Sequence, residues 1–437
     1  MYRKLFRTAF VCLCVALATI SCRKEESTLS TFLINGSKSY YFEPDETINV
    51  YYTQKRIARV EVVSQPEGWD VSVQNGYLAV HAPLSSGAQS GTIEVKGVSV
   101  ADIVTKRKFD VAIAIATDLS QNGTANCYIA SADGRYAFDG TRIGDTTFEF
   151  AEAKLLWAAP ADVVSSVQTR DGNISFSTKG EGNAVIAIYN NKGTILWSWH
   201  IWAADFDAEA TAQTFADGTV VMSRNLGATA EATDDDQTAW ASCGTYYQWG
   251  RKDAFVGSKN YLSTVNQGMY NAEGAWVGIK TRATTSAIGT TAYATQNPTV
   301  FICGTEANDY DWYYGSRNNE LWSATSKTIN DPCPAGWRVG AATTFDIKQD
   351  QLVGDYQRGW EVAVDATTNT LFAAAGRRSF VDGAFTNVDK TGYLPVGFYW
   401  SATTESGSAI ALEFSPTEIG TKAIYRANAC PVRCVKE

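Results

Sequence analysis

Between residues 30 and 115 the chain carries turn signals at intervals of about ten residues, and short runs of alternating apolar and polar side chains fill the gaps. The turns are Gln-Pro-Glu-Gly (65–68), Gln-Asn-Gly (74–76) and Ser-Ser-Gly (85–87), and the runs are 48–53, 58–63, 69–73, 77–81, 91–96 and 109–115. Successive side chains of a strand point to opposite faces, so a period of two buries one face and wets the other. Runs this short cannot form amphipathic helices of ordinary length. The pattern predicts a small antiparallel β-sandwich over 31–115. His81 stands at a strand end beside Pro83 and reads as structural.

Residues 116–205 continue in β style and contain the clearest hairpin of the chain. The run 183–189, the turn Asn-Asn-Lys-Gly (190–193) and the run 194–202 form it. On the second strand Ile195, Trp197, Trp199 and Ile201 share one wholly apolar face, and Leu196, Ser198, His200 and Trp202 share the other. With no Ser or Cys nucleophile beside it in sequence, His200 reads as a hydrogen-bonded packing residue.

From about 206 the texture changes to long loops rich in Gly, Asn, Tyr and Trp. Only 341–353 looks helical, with Phe345, Ile347, Leu352 and Val353 as a partial stripe. A chain of 437 residues divides into two to four domains at ~100–200 residues each. The formal charge of -9 argues against a nucleic-acid surface, which needs clustered Lys and Arg. Only two histidines are present, so any enzyme here would have to work with carboxylates or cysteine. No serine elbow, His-Glu-x-x-His, phosphate loop or Cys-His pairing occurs, and the chain is expected to be a non-enzyme without metal or cofactor.

The opening segment places Arg3, Lys4 and Arg7 before twelve uncharged residues (9–20), too few to span a bilayer, which needs ~20. It reads as a signal peptide over 1–21. Its end, Ser21-Cys22, resembles the lipobox of bacterial lipoproteins, which implies lipidation at Cys22; the competing reading is an ordinary secretory peptide cut nearby. Residues 22–30 would then be a tether. The charged stretch 23–27 is similar to the signal that sends some Bacteroidales lipoproteins to the outer face of the outer membrane, or is simply a solvated linker. Six cysteines remain in the mature chain, which allows 15 full connectivities. Cys430 and Cys434, if extended, lie ~13 Å apart and cannot bond each other. Without a Cys-x-x-Cys, zinc is disfavoured.

Residues 206–437 carry the ordered blocks Val-Met-Ser-Arg-Asn-Leu-Gly-Ala (221–228), Tyr-Tyr-Gln-Trp-Gly-Arg-Lys-Asp (246–253), Gln-Asn-Pro-Thr (296–299), Asp311-Trp312, Leu321-Trp322, Asp-Pro-Cys-Pro-Ala-Gly-Trp-Arg-Val (331–339), Ala-Ala-Ala-Gly-Arg (373–377), Tyr-Trp-Ser-Ala-Thr (399–403) and Val-Arg-Cys-Val (432–435). In this order they resemble the Fibrobacter succinogenes major paralogous domain. The resemblance implies an α+β fold like that of C-type lectins for 206–437, and a disulfide between Cys333 and Cys434. It has no counterpart for Cys243, Cys303 and Cys430, and Cys303–Cys430 is the candidate second bridge; Cys127 reads as a buried free thiol. Residues 31–115 are similar to Ig-like spacer modules, and 116–205 to the middle region that accompanies the domain. The fold class expected is therefore mainly β and multidomain. The calcium loops of sugar-binding lectins do not occur, and the acidic run 234–236 reads as a solvated turn.

The resemblance implies a lipid-anchored outer-membrane protein facing the exterior, acting as an adhesin, fimbrial tip or accessory subunit. In that arrangement 31–205 is the stalk and 206–437 the head. The alternative is a glycan-capture lipoprotein of a nutrient-uptake system. Both need exposed rings and adaptable polar groups, because Tyr and Trp supply rigid contact area and Asn supplies hydrogen bonds. The candidates are Trp312, Tyr313, Tyr314, Asn318 and Asn319, whereas Trp249, Trp322, Trp337 and Trp400 read as core.

Overall fold

The computed structural model describes residues 29–36, 38–84, 90–231, 239–260, 263–386 and 395–437. The signal peptide, Cys22, most of the tether, the turn 85–87 and the acidic run 234–236 lie outside the described residues.

The chain is mainly β, in several sheets. The N-terminal unit is a sandwich of two four-stranded sheets. One has the order Thr31–Ile34, Thr47–Lys55, Tyr77–His81, Asp70–Gln74, all antiparallel. The other has the order Ser39–Phe42, Val104–Ile113, Gly91–Ser99, Ile57–Ser64, with its first pair parallel. All six expected strands are present. The two that the alternation did not reveal, Thr31–Ile34 and Ser39–Phe42, are four-residue strands at sheet edges, too short to show a period. Gln74 pairs with Tyr77, so Asn75 and Gly76 form a two-residue hairpin loop, with φ 87° at Gly76. Phe32, Phe42, Val50, Trp69, Leu78, Val95 and Phe109 fill the space between the sheets. His81 has a structural role: its Nδ1 lies 2.9 Å from Thr47 Oγ1 across the paired strands.

The middle unit is a second sandwich. Cys127–Ala130, Ile195–Ala203, Gly182–Tyr189 and Glu152–Ala159 form one sheet, and Val164–Arg170, Asn173–Lys179, Asp133–Asp139 and Thr117–Asp118 the other. The expected hairpin is the centre of the first sheet, and from 197 to 202 the two faces separate as the sequence indicated; at the strand start a register shift puts Leu196 with the inner cluster instead of on the opposite face. Trp197, Trp199 and Ile201 pack inside the sandwich with Phe138 and Phe176. Trp202 turns outward with Cys127, Trp157 and Val185 and joins a core continuing through Tyr247, Trp249, Trp312, Trp337 and Trp400. One core therefore crosses residue 205. The expected separation of 116–205 as stalk from 206–437 as head does not hold at the level of packing, because a strand apolar on both faces must be covered on both.

His200 lies at this junction, buried as expected. Asn183 donates its amide to Gly227 O (2.9 Å), so its Oδ1 accepts from His200 Nε2 (2.8 Å), while the Tyr247 hydroxyl donates to Nδ1 (3.0 Å). Burial pushes the imidazole pKa down from 6.5 to about 3. The unfolded chain takes up this proton first as pH falls, so stability is intact above pH 6.5 and is lost towards pH 3. Between pH 7 and pH 5 the wild type is expected to lose about 2 kcal/mol more than His200→Gln in urea denaturation. Parallel losses would show that His200 titrates normally.

Beyond 206 the chain builds small sheets and loops on this shared core. Among the described residues the helical content is one α-helix, Thr291–Gln296, capped by Thr290, and short 3-10 turns. The expected helix over 341–353 is not formed: 3-10 turns at Ala342–Phe345 and Gln349–Gln351 flank extended chain. Phe345 and Ile347, two residues apart, enter one cluster together, a spacing that a helix would send to different faces.

Cys333 and Cys434 form the disulfide that the resemblance implied, with Cα atoms 6.1 Å apart. The second candidate bridge is corrected: Cys303 and Cys430 are free and buried, as are Cys127 and Cys243. Cys430 pairs across strands with Tyr247 in the large core, while Cys303 ends the strand Val300–Cys303 in a separate cluster with Phe255 and Phe301. Burial pushes all four thiols up, Cys303 to about 11, so none is a ready thiolate at neutral pH.

Candidate ligand-binding surface

The loop expected to contact ligand begins at the turn Glu306–Asn308. Asp309 (φ 49°) and Tyr310 (φ 55°) follow, two consecutive non-glycine residues in the left-handed region. Each costs of order 1–2 kcal/mol there, so the surroundings must hold them. Tyr310 N–H donates to Thr305 O (2.9 Å) and Asp311 N–H to Asn308 O (3.0 Å). The Asn308 amide donates to Asp311 O and Tyr313 O, and its Oδ1 accepts from Gly315 N–H. Gly304 is required beneath the turn, since a Cβ there would come within 2.6 Å of the Tyr310 carbonyl.

This strained turn aims Tyr310 at two rings from remote segments. Its centroid is 4.9 Å from Phe380 and 4.8 Å from Tyr425, and Phe380 and Tyr425 are 4.7 Å apart. The three rings meet in edge-on and tilted contacts, a geometry that suits the aromatic quadrupole. Tyr425 is 40% exposed and the neighbouring Val381 57%, while Tyr310 and Phe380 are half-buried, so the cluster meets solvent through Tyr425 and Val381. An Arg317–Asp309 ion pair stands beside it. The Arg317 guanidinium occupies the space beside Gly407 at a hairpin tip that a Cβ would need.

The five expected contact residues are distributed differently. Trp312 is a core residue, 1% exposed, and donates its indole N–H to Trp249 O (2.7 Å). This is a correction: the short spacing from Tyr313 and Tyr314 did not show that the chain turns inward at 311–312. Tyr313 is half-buried against Trp312, at 5.7 Å between centroids. Tyr314 is 45% exposed. Asn318 and Asn319 brace buried Arg426, which donates to Asn318 O and Asn319 Oδ1 while its guanidinium lies 4.5 Å over Trp249. Trp249, Trp322, Trp337 and Trp400 are buried, as expected. Tyr310, Phe380 and Tyr425 were missed, because nothing local links positions so far apart.

Asp311 ties this loop to the core. Its Oδ1 accepts from Tyr313 N–H (2.9 Å), and its Oδ2 is 3.7 Å from Arg426 without a hydrogen bond. Burial raises its pKa from 3.8 to about 6, against the Tyr313 hydrogen bond and the Arg426 and Arg317 charges. The folded state holds the proton more tightly, so this contribution to stability is present below pH 3.8 and is lost as pH rises through 6. Asp311→Asn does not titrate. It is expected to gain about 2 kcal/mol on the wild type between pH 4 and pH 7; a constant difference across that range would refute the shifted carboxyl.

Among the described residues no cluster of three or more His, Cys, Asp or Glu side chains could hold a metal. No protein-family model matches the chain, and no curated protein matches it. Similar solved structures include an endo-fucoidan hydrolase of glycoside hydrolase family 107 at 12% identity, over 40% of this chain and 34% of the hydrolase, with a TM-score of 0.17. The BIgI domain of the S. agalactiae beta protein, bound to CEACAM1, matches at 14% identity over 19% of this chain and 96% of the domain, at 0.14. The Bacteroides ovatus SGBP-B in complex with a mixed-linkage heptasaccharide matches at 8% identity over 40% of this chain and 45% of that protein, at 0.14.

Proposed function

We propose that the protein is a non-catalytic binding protein of the cell surface, an adhesin or fimbrial tip or accessory subunit, anchored through lipid on Cys22 in the outer membrane and facing outward. The observation that carries the binding reading is the Tyr310, Phe380 and Tyr425 cluster: three rings from segments 45 to 115 residues apart in sequence, in which Tyr310 on a strained, over-braced turn and half-buried Phe380 support the exposed Tyr425. Rigid rings lose little side-chain entropy on contact and favour a protein or glycan surface. The blocks similar to the Fibrobacter major paralogous domain support the same reading. The four free thiols among the described residues are buried, with their pKa values raised, and so give no ready nucleophile at neutral pH.

The test uses the full mature chain, because 206–437 shares its core with the middle sandwich. Binding to immobilised glycans and to bacterial and host cell surfaces is compared for wild type and a Tyr425→Ala variant, whose ring is the most exposed of the three. The variant is expected to lose at least about tenfold in affinity, which corresponds to about 1.4 kcal/mol, with thermal stability nearly unchanged. Equal binding by both proteins would exclude the patch. Anchoring is tested separately: Cys22→Ser is expected to move the protein from the membrane to the soluble fraction. The alternative, glycan capture for nutrient uptake, calls for a ligand-sized cavity.

A further inference from the structure

A cleft of about 500 Å³ opens where three parts of the chain meet. Tyr40 of the N-terminal sandwich forms one wall; Leu156, Gln168 and Tyr189 of the middle sandwich form another; the hairpin tip Asn271–Glu273 closes a third side. Ligand sites favour such junctions, and the volume lies within the usual range of ~300–1,000 Å³.

The wall is shaped by a departure from regular pairing. Strand Val164–Arg170 slips register against Asn173–Lys179 between Ser165 and Gln168, and Ser166 adopts φ 52°. Bulges of this kind re-aim side chains and are enriched near functional sites. Ser166 Oγ holds the bulge by donating to Ser39 O (2.7 Å) of the first sandwich, and Arg135 donates to Ser166 O (3.2 Å). Arg135 also donates to Gln168 Oε1. A guanidinium has no acceptor, so the Gln168 amide must present its oxygen to Arg135 and turn its Nε2 donors away. That Nε2 is buried without a partner among the described residues, with almost no surface of its own open to the cleft. Such a donor costs about 1–3 kcal/mol, which the contacts that hold the bulge must offset.

The other polar groups are of the opposite kind. Asp162 and Glu273 line the cleft, and neither forms an ion pair among the described residues. The one cation of the lining, Lys154, is engaged by Glu152 and lies 5.4 Å over the Tyr189 ring. An anionic ligand would meet two carboxylates. A simple amine could satisfy those carboxylates but would leave the apolar wall of Leu156 and Tyr189 uncovered. A polyhydroxylated ligand supplies donors and acceptors from the same hydroxyls and lays its C–H faces on Tyr189 and Leu156.

We propose that this cleft is a binding site for a neutral oligosaccharide, distinct from the ring cluster and independent of it. Neutral gluco-, manno-, xylo- and galacto-oligosaccharides of about two to four units are titrated into the full mature chain by calorimetry. At least one is expected to bind, with Ala272→Trp, which fills the mouth, weakening it at least about tenfold and Glu273→Ala about fivefold. Both positions are exposed, so unfolding is not expected, and unchanged melting curves verify it. Tyr425→Ala is expected to bind like wild type, which separates this site from the surface patch. The proposal fails if none of the sugars binds at millimolar concentration, if Ala272→Trp and Glu273→Ala bind as wild type, or if only Tyr425→Ala abolishes binding. Binding of a simple diamine or a short peptide in place of the sugars overturns it as well.

Discussion

Asp253→Ala is expected to destabilise the protein by about 3–5 kcal/mol, because it leaves two buried cations facing each other without a counter-charge. Arg251 donates through Nε (3.1 Å) and Nη2 (2.7 Å) to Asp253 Oδ2, and Lys252 Nζ donates to Oδ1 (3.0 Å). All three side chains are almost wholly inaccessible. Burial alone would raise the Asp253 carboxyl, but both cations and their hydrogen bonds outweigh it and hold the pKa below the ordinary carboxylate value. Lys252 also donates to Ser198 O and Oγ on the middle sheet and stands 4.5 Å over Trp197, so the trio joins the two units as well as neutralising itself. Asp253→Ala is therefore expected to lower the urea midpoint of the middle and C-terminal units together. A triple replacement by Met, Met and Leu is expected to recover most of the loss, since well-packed apolar residues often replace a buried ion group without cost. An alanine variant as stable as wild type would mean that the cations reach water.

Reduction of the Cys333–Cys434 bridge is expected to cost about 4–5 kcal/mol, because it joins residues 101 apart in sequence and the unfolded chain regains that loop entropy. The bridge fastens the strand Cys434–Lys436, which pairs with Trp337–Val339 and reaches Val221. Next to it, buried Arg433 donates to Asn225 Oδ1 and to the carbonyls of Met222, Ser223 and Leu371. Local unfolding of the C-terminal strand would expose this guanidinium's partners together. Denaturation in urea with and without reductant measures the effect, and coincident curves would show that the network alone holds the terminus. Cys127, Cys243, Cys303 and Cys430 are already free, so reductant acts on this bridge alone among the described residues.

Much of the architecture was legible because it is local. Alternation over five to nine residues places a strand, Asn75-Gly76 closes a hairpin, and the two faces of 197–202 could be read residue by residue, though not the bulged start at Leu196. The short edge strands Thr31–Ile34 and Ser39–Phe42 fell below that threshold, and the stretch 341–353 carried a stripe too irregular to tell a helix from 3-10 turns. Of the candidate contact residues Tyr314 lies at the surface and Trp312 does not, although they are two positions apart, because exposure in a loop depends on what packs beneath it.

From its sequence alone the protein was determined to be a mainly β chain with an N-terminal sandwich, a middle hairpin of tryptophans and two histidines in structural places. Short-range sterics and the period of the pleat encode those features within a few residues. Only the tertiary structure decided that the middle and C-terminal units share one core, that Cys303 and Cys430 stay apart, that Tyr310, Phe380 and Tyr425 meet, and that a cleft forms between three parts of the chain. These outcomes join residues tens to hundreds of positions apart, and their energies arise from burial and hydrogen bonding in the assembled fold, which no local pattern carries.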